Sequence, residues 1–267
     1  SAAHYEAGQR VINMTKLSGA GSLAHEFAHA LDHWLGTGTS ADVPGGIPSA
    51  TGWHIPNVDH KAIMPHRHKS IVDAITTLMG SFYNRDLSKD ERIERLTNSI
   101  EKHSEEIKKH EEAILKIKDK GIERLNRKYL KEVGPWLAQK RMHVDYLKEQ
   151  MARIESGETT DYGQGLTDFY TEANKLCGSS DYYRRPNELF ARAFEAWVFD
   201  EILEKGARSD YLVHSVEDGR YAGEEYKGDP YPSGKERKLI NQHMRTIAEV
   251  VRPDVERHLE ESSALRM

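Results

Sequence analysis

The sequence predicts an α+β fold that is mostly helical, with a long antiparallel helical hairpin inserted into its core. Three observations predict it: a short β-branched segment near the start, two strong amphipathic helices far apart, and a heptad repeat between them. The chain has 267 residues, which is enough to bury a sizeable core. We expect residues 1–85 and 156–267 to form that core and residues 86–155 to form the hairpin.

The first predicted elements are a strand and two helices. Residues 10–17 are rich in β-branched side chains and favour a strand. Apolar residues at helical spacing predict a helix over 23–35, which Gly36 ends, and a second helix over 70–83. Residues 36–67 are rich in Gly, Pro, Ser and His and predict a long loop.

The hairpin is predicted from charge and periodicity together. Residues 86–155 contain 17 basic and 15 acidic side chains, far above the 30% charge of the whole chain. Within 93–117, apolar residues and two histidines step alternately by three and four, which is a heptad seam. Gly121 breaks this seam, and a second helix interrupted at 134–135 resumes it. The first arm would be about 45 Å long at 1.5 Å per residue, and the hairpin is a candidate surface for a partner or for self-association.

Three further helices are predicted towards the C-terminus. A short one lies near 166–176, and a loop rich in Gly, Tyr and Pro separates the other two. The helix over 187–203 has a pronounced apolar stripe, and the last helix runs from about 235 to 258.

Composition excludes several classes of function. The net charge of −5 argues against general nucleic-acid binding, which needs a basic surface. Without a run of about 20 apolar residues we expect no membrane span. The single cysteine, Cys177, excludes an internal disulfide framework and, with no signal peptide evident, predicts a cytoplasmic location.

The sequence His25-Glu26-Phe27-Ala28-His29 lies on the first predicted helix. Spacing of four residues places both imidazoles on one face, where they can bind a single Zn²⁺ at about 2.0–2.1 Å. Glu26 is adjacent to the ligands and can take a proton from a water that the metal activates. The alternative is a pair of surface histidines on an amphipathic helix.

A zinc peptidase needs a third protein ligand. His33 lies about 12 Å along the helix from His25, too far for both to hold one ion with His29. A carboxylate on the helix 187–203 is the better candidate. Glu188 and Glu195 share one face of that helix, and spacing alone leaves open which is the ligand and which supports it.

These motifs resemble a known family. The segments 25–32 and 188–194 are similar to the gluzincin arrangement of the anthrax lethal factor type. A closer resemblance is to the zincin-like metallopeptidase domain called large polyvalent protein-associated domain 1. It is carried by segments 3–13, 19–26 and 186–196, and more weakly by 229–234. The hairpin at 86–155 has no counterpart in this resemblance.

The resemblance implies the ligands and a set of roles. His25, His29 and Glu188 would bind zinc, and Glu26 would be the general base. We assign supporting roles next to these residues to Asp32 and Glu195.

Relatives of the lethal factor type also place an oxyanion-stabilising tyrosine seven residues before the third ligand. Here that position is Asp181, followed by Tyr182 and Tyr183. We favour Tyr182 for this role, with Tyr183 second.

The predicted function is zinc-dependent hydrolysis of peptide bonds in a protein or peptide substrate. The resemblance implies relatives that are modules of polyproteins of phages and mobile elements, which makes polyprotein processing a candidate role. Two alternatives from other classes are a catalytically inactive zincin-shaped binding module and a coiled-coil adaptor with structural zinc.

Overall fold

The computed structural model describes residues 3–14, 21–36, 49–53, 58–121, 123–158, 164–221, 223 and 225–264. It is mostly helical, which confirms that part of the predicted fold class. The chain forms two compact units, one of Ser1–Asn84 with Leu166–Met267 and the other of Arg85–Gly165. None of the described helices is long and apolar enough to cross a membrane.

The first unit begins with a β-hairpin. Strands β1 (Ala3–Glu6) and β2 (Val11–Met14) pair antiparallel, with Ala3 opposite Met14. The strand predicted over 10–17 is thus found at Val11–Met14, and its last three residues lie outside the described part of the chain. The partner strand β1 was not predicted.

Helix α1 (Leu23–Gly36) follows and matches the predicted helix over 23–35. A residue distant in sequence contacts the first turn of this helix: the amide of Ala24 donates to the carbonyl of Leu212 at 3.1 Å. Gly21 precedes it with φ of +85°, and a Cβ there would lie 2.5 Å from the Cβ of His214. Both the left-handed backbone and the close approach require glycine at this position.

The described part of the predicted loop over 36–67 contains a short helical turn, α2 (His60–Ile63). The carboxylate of Asp59 caps it by accepting from the amide of Lys61 at 3.0 Å. Residues 37–48 and 54–57 of this loop lie outside the described residues. Helix α3 (Lys69–Tyr83) then confirms the helix predicted over 70–83.

The second unit is a helical hairpin. Helices α4 (Lys89–Asp119) and α5 (Glu123–Glu155) lie antiparallel, beside the short paired strands β3 (Asn84–Asp86) and β4 (Gln164–Leu166). Apolar side chains fill the seam between the two helices, with Leu96, Leu147 and Ile154 fully buried.

The predicted interruption of the second arm at 134–135 is wrong, because α5 runs continuously through Pro135. A proline inside a helix removes one backbone hydrogen bond and costs about 3 kcal/mol. Burial of Leu137 and Val144 in the turns that follow offsets this cost through packing.

The remaining helices complete the first unit. They are α6 (Asp168–Leu176), α7 (Pro186–Glu204) and α8 (Gly234–Ala264), and all three were predicted with slightly different ends. A 3₁₀ turn at Tyr182–Arg184 precedes α7. The core lies between α1, α3, α7 and α8, and its fully buried side chains include Ala28, Ile75, Leu78, Phe82, Leu189, Phe190, Ala193 and Ile240.

Candidate metal centre

Helices α1 and α7 pack against each other and carry the proposed ligands. Small residues at their contact, Ala28 on α1 and Ala191 on α7, have no exposed surface and allow close approach. On α7, Glu188 and Glu195 are seven residues apart and therefore share a face. Both are 4% exposed, so this face carries two buried carboxylates towards α1.

The structure brings three side chains together around one point. The Nε2 atoms of His25 and His29 are 3.3 Å apart. Oxygens of Glu188 lie 3.5 Å from Nε2 of His25 and 3.3 Å from Nε2 of His29. These are the residues whose donor atoms cluster closely enough to hold one metal ion among the described part of the chain.

The separations fit a tetrahedral zinc site. Two ligand atoms that each lie 2.0–2.1 Å from a tetrahedral zinc ion are about 3.3–3.4 Å apart. The two Nε2 atoms are separated by that distance, 3.3 Å, and each lies 3.3–3.5 Å from a different oxygen of the Glu188 carboxylate. Two imidazole nitrogens and a carboxylate oxygen are also donors that Zn²⁺ accepts, so the residues fit the ion in geometry and in chemistry.

Electrostatics within the cluster favour an ionised Glu188. Burial opposes the charge on its carboxylate, but hydrogen bonds from His25 and His29 outweigh burial and hold its pKa below the ordinary range. Burial likewise disfavours a charged His25, yet its contacts with Glu188 and Glu195 raise its pKa to about 9. The two carboxylates therefore attract positive charge to the point where the imidazoles meet.

Glu26 follows His25 on the first turn of α1 and is buried, with 8% of its surface exposed. Tyr182 reaches the same place from the 3₁₀ turn, with 39% of its surface exposed. Burial raises the pKa of its hydroxyl, and the carboxylates of Glu188 and Glu26 raise it further. The Tyr182 hydroxyl is therefore close enough to Glu188 and Glu26 to interact with both carboxylates.

Tyr183 has different surroundings. Its ring packs edge-on against Tyr182 at 5.3 Å and lies under the guanidinium of Arg192 at 5.0 Å. The structure thus brings Tyr182 to the carboxylates and places Tyr183 against the core. Asp181, at the position where the resemblance expects a tyrosine, pairs with Arg185 at 2.7 Å.

Glu195 lies behind His25 rather than at the meeting point of the ligands. Its Oε2 is 3.4 Å from Nδ1 of His25 and accepts a hydrogen bond from the hydroxyl of Tyr231 at 3.1 Å. A carboxylate on the far nitrogen of a metal-binding histidine orients the ring and fixes its tautomer. Nδ1 of His29 is buried without a hydrogen-bond partner among the described residues, so Glu195 supports one of the two histidines.

Asp32 is fully buried, and its carboxylate interacts electrostatically with His29 while its hydrogen bonds go to the chain after α1. Its carboxylate accepts from the hydroxyl of Ser49 at 2.7 Å and from the amide of Thr51 at 2.8 Å. The carbonyl of Trp53 in turn accepts from the amide of Asn187 at 3.1 Å. This segment therefore connects α1 to the first turn of α7, next to Glu188.

Sequence reasoning considered Arg192 only as a residue that could pair with Glu188 or Glu195, and it missed the role of Tyr231. Arg192 lies between Glu188 and Glu195 on α7, and its guanidinium stacks over the rings of Tyr183 and Tyr231 at 5.0 and 5.5 Å. Its spacing of four residues from Glu188 was the available signal. Tyr231 carried no such signal, because it lies in a loop and approaches Glu195 only in the folded chain.

Comparisons with known proteins bear on the second half of the site. Residues 177–253 match the model of the family described as Large polyvalent protein-associated domain 1. This match supports the predicted resemblance over a segment that contains Glu188, Glu195 and Tyr231. The segment does not include His25 or His29. Neither a search of curated proteins nor a search of solved structures found a match.

Proposed function

We propose that the protein is a zinc-dependent peptidase whose ligands are His25, His29 and Glu188. The observation that carries the proposal is the separation of their donor atoms by 3.3–3.5 Å, with Glu26 directly adjacent to one ligand. Zn²⁺ bound by these groups would supply Lewis-acid chemistry that activates water and polarises a peptide carbonyl.

The chain's own residues would then move protons and stabilise charge. Glu26 is buried and acceptor-only when ionised, so it can take the proton of the attacking water and deliver it to the leaving amine. The hydroxyl of Tyr182, which interacts with Glu188 and Glu26, would donate a hydrogen bond to the oxyanion. Loss of one such donor costs about 10²–10³ in rate.

The test is the metal content of the purified protein together with its activity. We expect one zinc per chain in the wild type, retained by Glu26→Gln and lost in His25→Ala and Glu188→Ala. Glu26→Gln should cleave no peptide in a mixed library that the wild type cleaves. Glu204→Gln, which removes a largely exposed carboxylate on α7, the helix that carries Glu188, is the control and should behave like the wild type.

Two outcomes would refute the ligand assignment. Wild-type protein that is free of metal when purified without chelators would show that the site binds no zinc. Retention of zinc by Glu188→Ala with loss in Glu195→Ala would place the third ligand two turns further along α7.

The same experiments separate the alternatives from a peptidase. Stoichiometric zinc without cleavage of any peptide would indicate an inactive binding module. Deletion of 86–155 separates a peptidase from an adaptor, since these residues lie within the second unit. A peptidase should keep its zinc and part of its activity, whereas an adaptor should lose its partner.

A further inference from the structure

We infer that Tyr231 is a positioning residue for the metal centre, acting on His25 through Glu195. The inference rests on the proposed function, since it assigns a role to Tyr231 only if His25 is a metal ligand. Tyr231 itself does not reach the cluster of donor atoms. It differs in this from Tyr182, which lies beside Glu188 and Glu26.

One carboxylate oxygen links the two groups. Oε2 of Glu195 accepts from the Tyr231 hydroxyl at 3.1 Å and lies 3.4 Å from Nδ1 of His25. An ionised carboxylate can only accept, so the proton of this contact belongs on Nδ1. A metal-bound His25 would be neutral, and a proton held on Nδ1 would leave the lone pair of Nε2 for the ion, on the side of His29 and Glu188.

Burial makes the Tyr231 hydroxyl important for this arrangement. Glu195 is 4% exposed and Tyr231 is 9% exposed, so water replaces a lost donor poorly. A buried carboxylate that loses one of its donors is freer to rotate away. Such a rotation would weaken its hold on Nδ1 of His25.

Tyr231 is itself held rigidly. Its amide donates to the carboxylate of Asp229 at 2.8 Å, and prolines stand on both sides of it in the sequence. Its ring lies under the guanidinium of Arg192 at 5.5 Å and near the ring of Tyr221 at 6.0 Å. The hydroxyl is therefore presented to Glu195 at a fixed place.

The test compares two tyrosine-to-phenylalanine variants of the 267-residue chain. Tyr231→Phe keeps the ring and removes only the hydroxyl bonded to Glu195. Tyr221→Phe removes a hydroxyl that donates to the backbone carbonyl of Ser215 at 3.1 Å, and is the matched control. Zinc affinity is measured by competition with a chromogenic chelator, and the visible absorption of the Co²⁺-substituted protein reports ligand geometry.

We expect Tyr231→Phe to weaken zinc binding about tenfold, the lower end of the effect of residues that support metal ligands, and to alter the Co²⁺ spectrum. Tyr221→Phe should leave both unchanged. In a Glu195→Gln background, Tyr231→Phe should add little, because the two residues act in series. If Tyr231→Phe does not fold, Glu195→Asp, which shortens the link by one methylene, should give the same loss of affinity.

The outcomes distinguish this inference from the proposed function. Zinc bound equally tightly by the wild type and Tyr231→Phe would overturn the positioning role alone, even if thermal stability fell. Equal losses in the two phenylalanine variants, or full additivity with Glu195→Gln, would also overturn it. Wild-type protein that binds no zinc would overturn both.

Discussion

The buried ion pair between Arg237 and Asp200 links α8 to α7, the helix that carries Glu188. Breaking this pair tests how much it contributes to the free energy of unfolding. Arg237 on α8 is 2% exposed and donates twice to the Asp200 carboxylate on α7, with both bonds at 2.8 Å. It also donates to the carbonyl of Ala196 at 3.3 Å. The change Arg237→Met keeps much of the side-chain volume and removes every one of these donors.

The expected cost follows from burial. Removing one partner of a buried pair leaves the other charge uncompensated and destabilises by about 3–5 kcal/mol. The Asp200 side chain remains 25% exposed, which places the expected loss near the lower end, about 3 kcal/mol. Asp200→Asn in the same background removes the stranded charge but leaves an acceptor for Asn241, so it should restore part of the stability.

The same two helices supply a matched control. Arg245 lies two turns further along α8 and pairs with Glu201 and Glu204 of α7, but it is 41% exposed. Solvent screening limits such a pair to about 0.2–1 kcal/mol, so Arg245→Met should cost little.

The assay is urea unfolding of the metal-free protein, followed by tryptophan fluorescence. A Trp136→Phe background removes the one tryptophan of the hairpin, so the other three report the first unit alone. Equal losses for the two arginine variants, or a loss below about 1 kcal/mol for Arg237→Met, would refute the argument from burial. So would a failure of Asp200→Asn to recover any stability.

Three further predictions concern stability. Gly21→Ala should destabilise by about 1–3 kcal/mol in thermal or urea unfolding, because its φ is +85° and a methyl group would lie 2.5 Å from the Cβ of His214. Gly80→Ala should instead stabilise by about 0.5–1 kcal/mol, since Gly80 is inside α3 with open space around it; the same sign for both would contradict this. Burial lowers the pKa of His60, so below about pH 6.5 the unfolded chain binds a proton that the folded chain excludes, and stability falls with falling pH. His60→Asn should lose less stability than the wild type between pH 7 and 5, and an unchanged pH dependence would show that His60 is not the titrating group.

The sequence predicts the two histidine ligands more directly than it predicts the third ligand, and the reason is physical. His25 and His29 are placed on one face by the geometry of a single helix, which is a local property. The third ligand comes from another helix, and no spacing rule decides between Glu188 and Glu195. Only packing of α7 against α1 brings Glu188 to the Nε2 atoms and Glu195 to Nδ1 of His25.

The same distinction applies to the fold. The long helices were predicted because their apolar residues repeat with the helical period. Strand β1 is four residues long and depends on pairing with β2, and α2 is a single turn capped by Asp59, so neither has a period to detect. The break predicted at Pro135 failed because packing along the hairpin outweighs a local preference.

Contacts from distant segments hold each helix that carries a ligand. The carbonyl of Leu212 accepts from the start of α1, and that of Trp53 accepts from the start of α7. Tyr231 holds Glu195. The matched segment 177–253 thus contains the proposed third ligand and two of these supports, but the two histidines lie far outside it. A chain with this segment but without the two histidines would keep the supports and lack the metal site, so membership of the family and zinc chemistry must be tested separately.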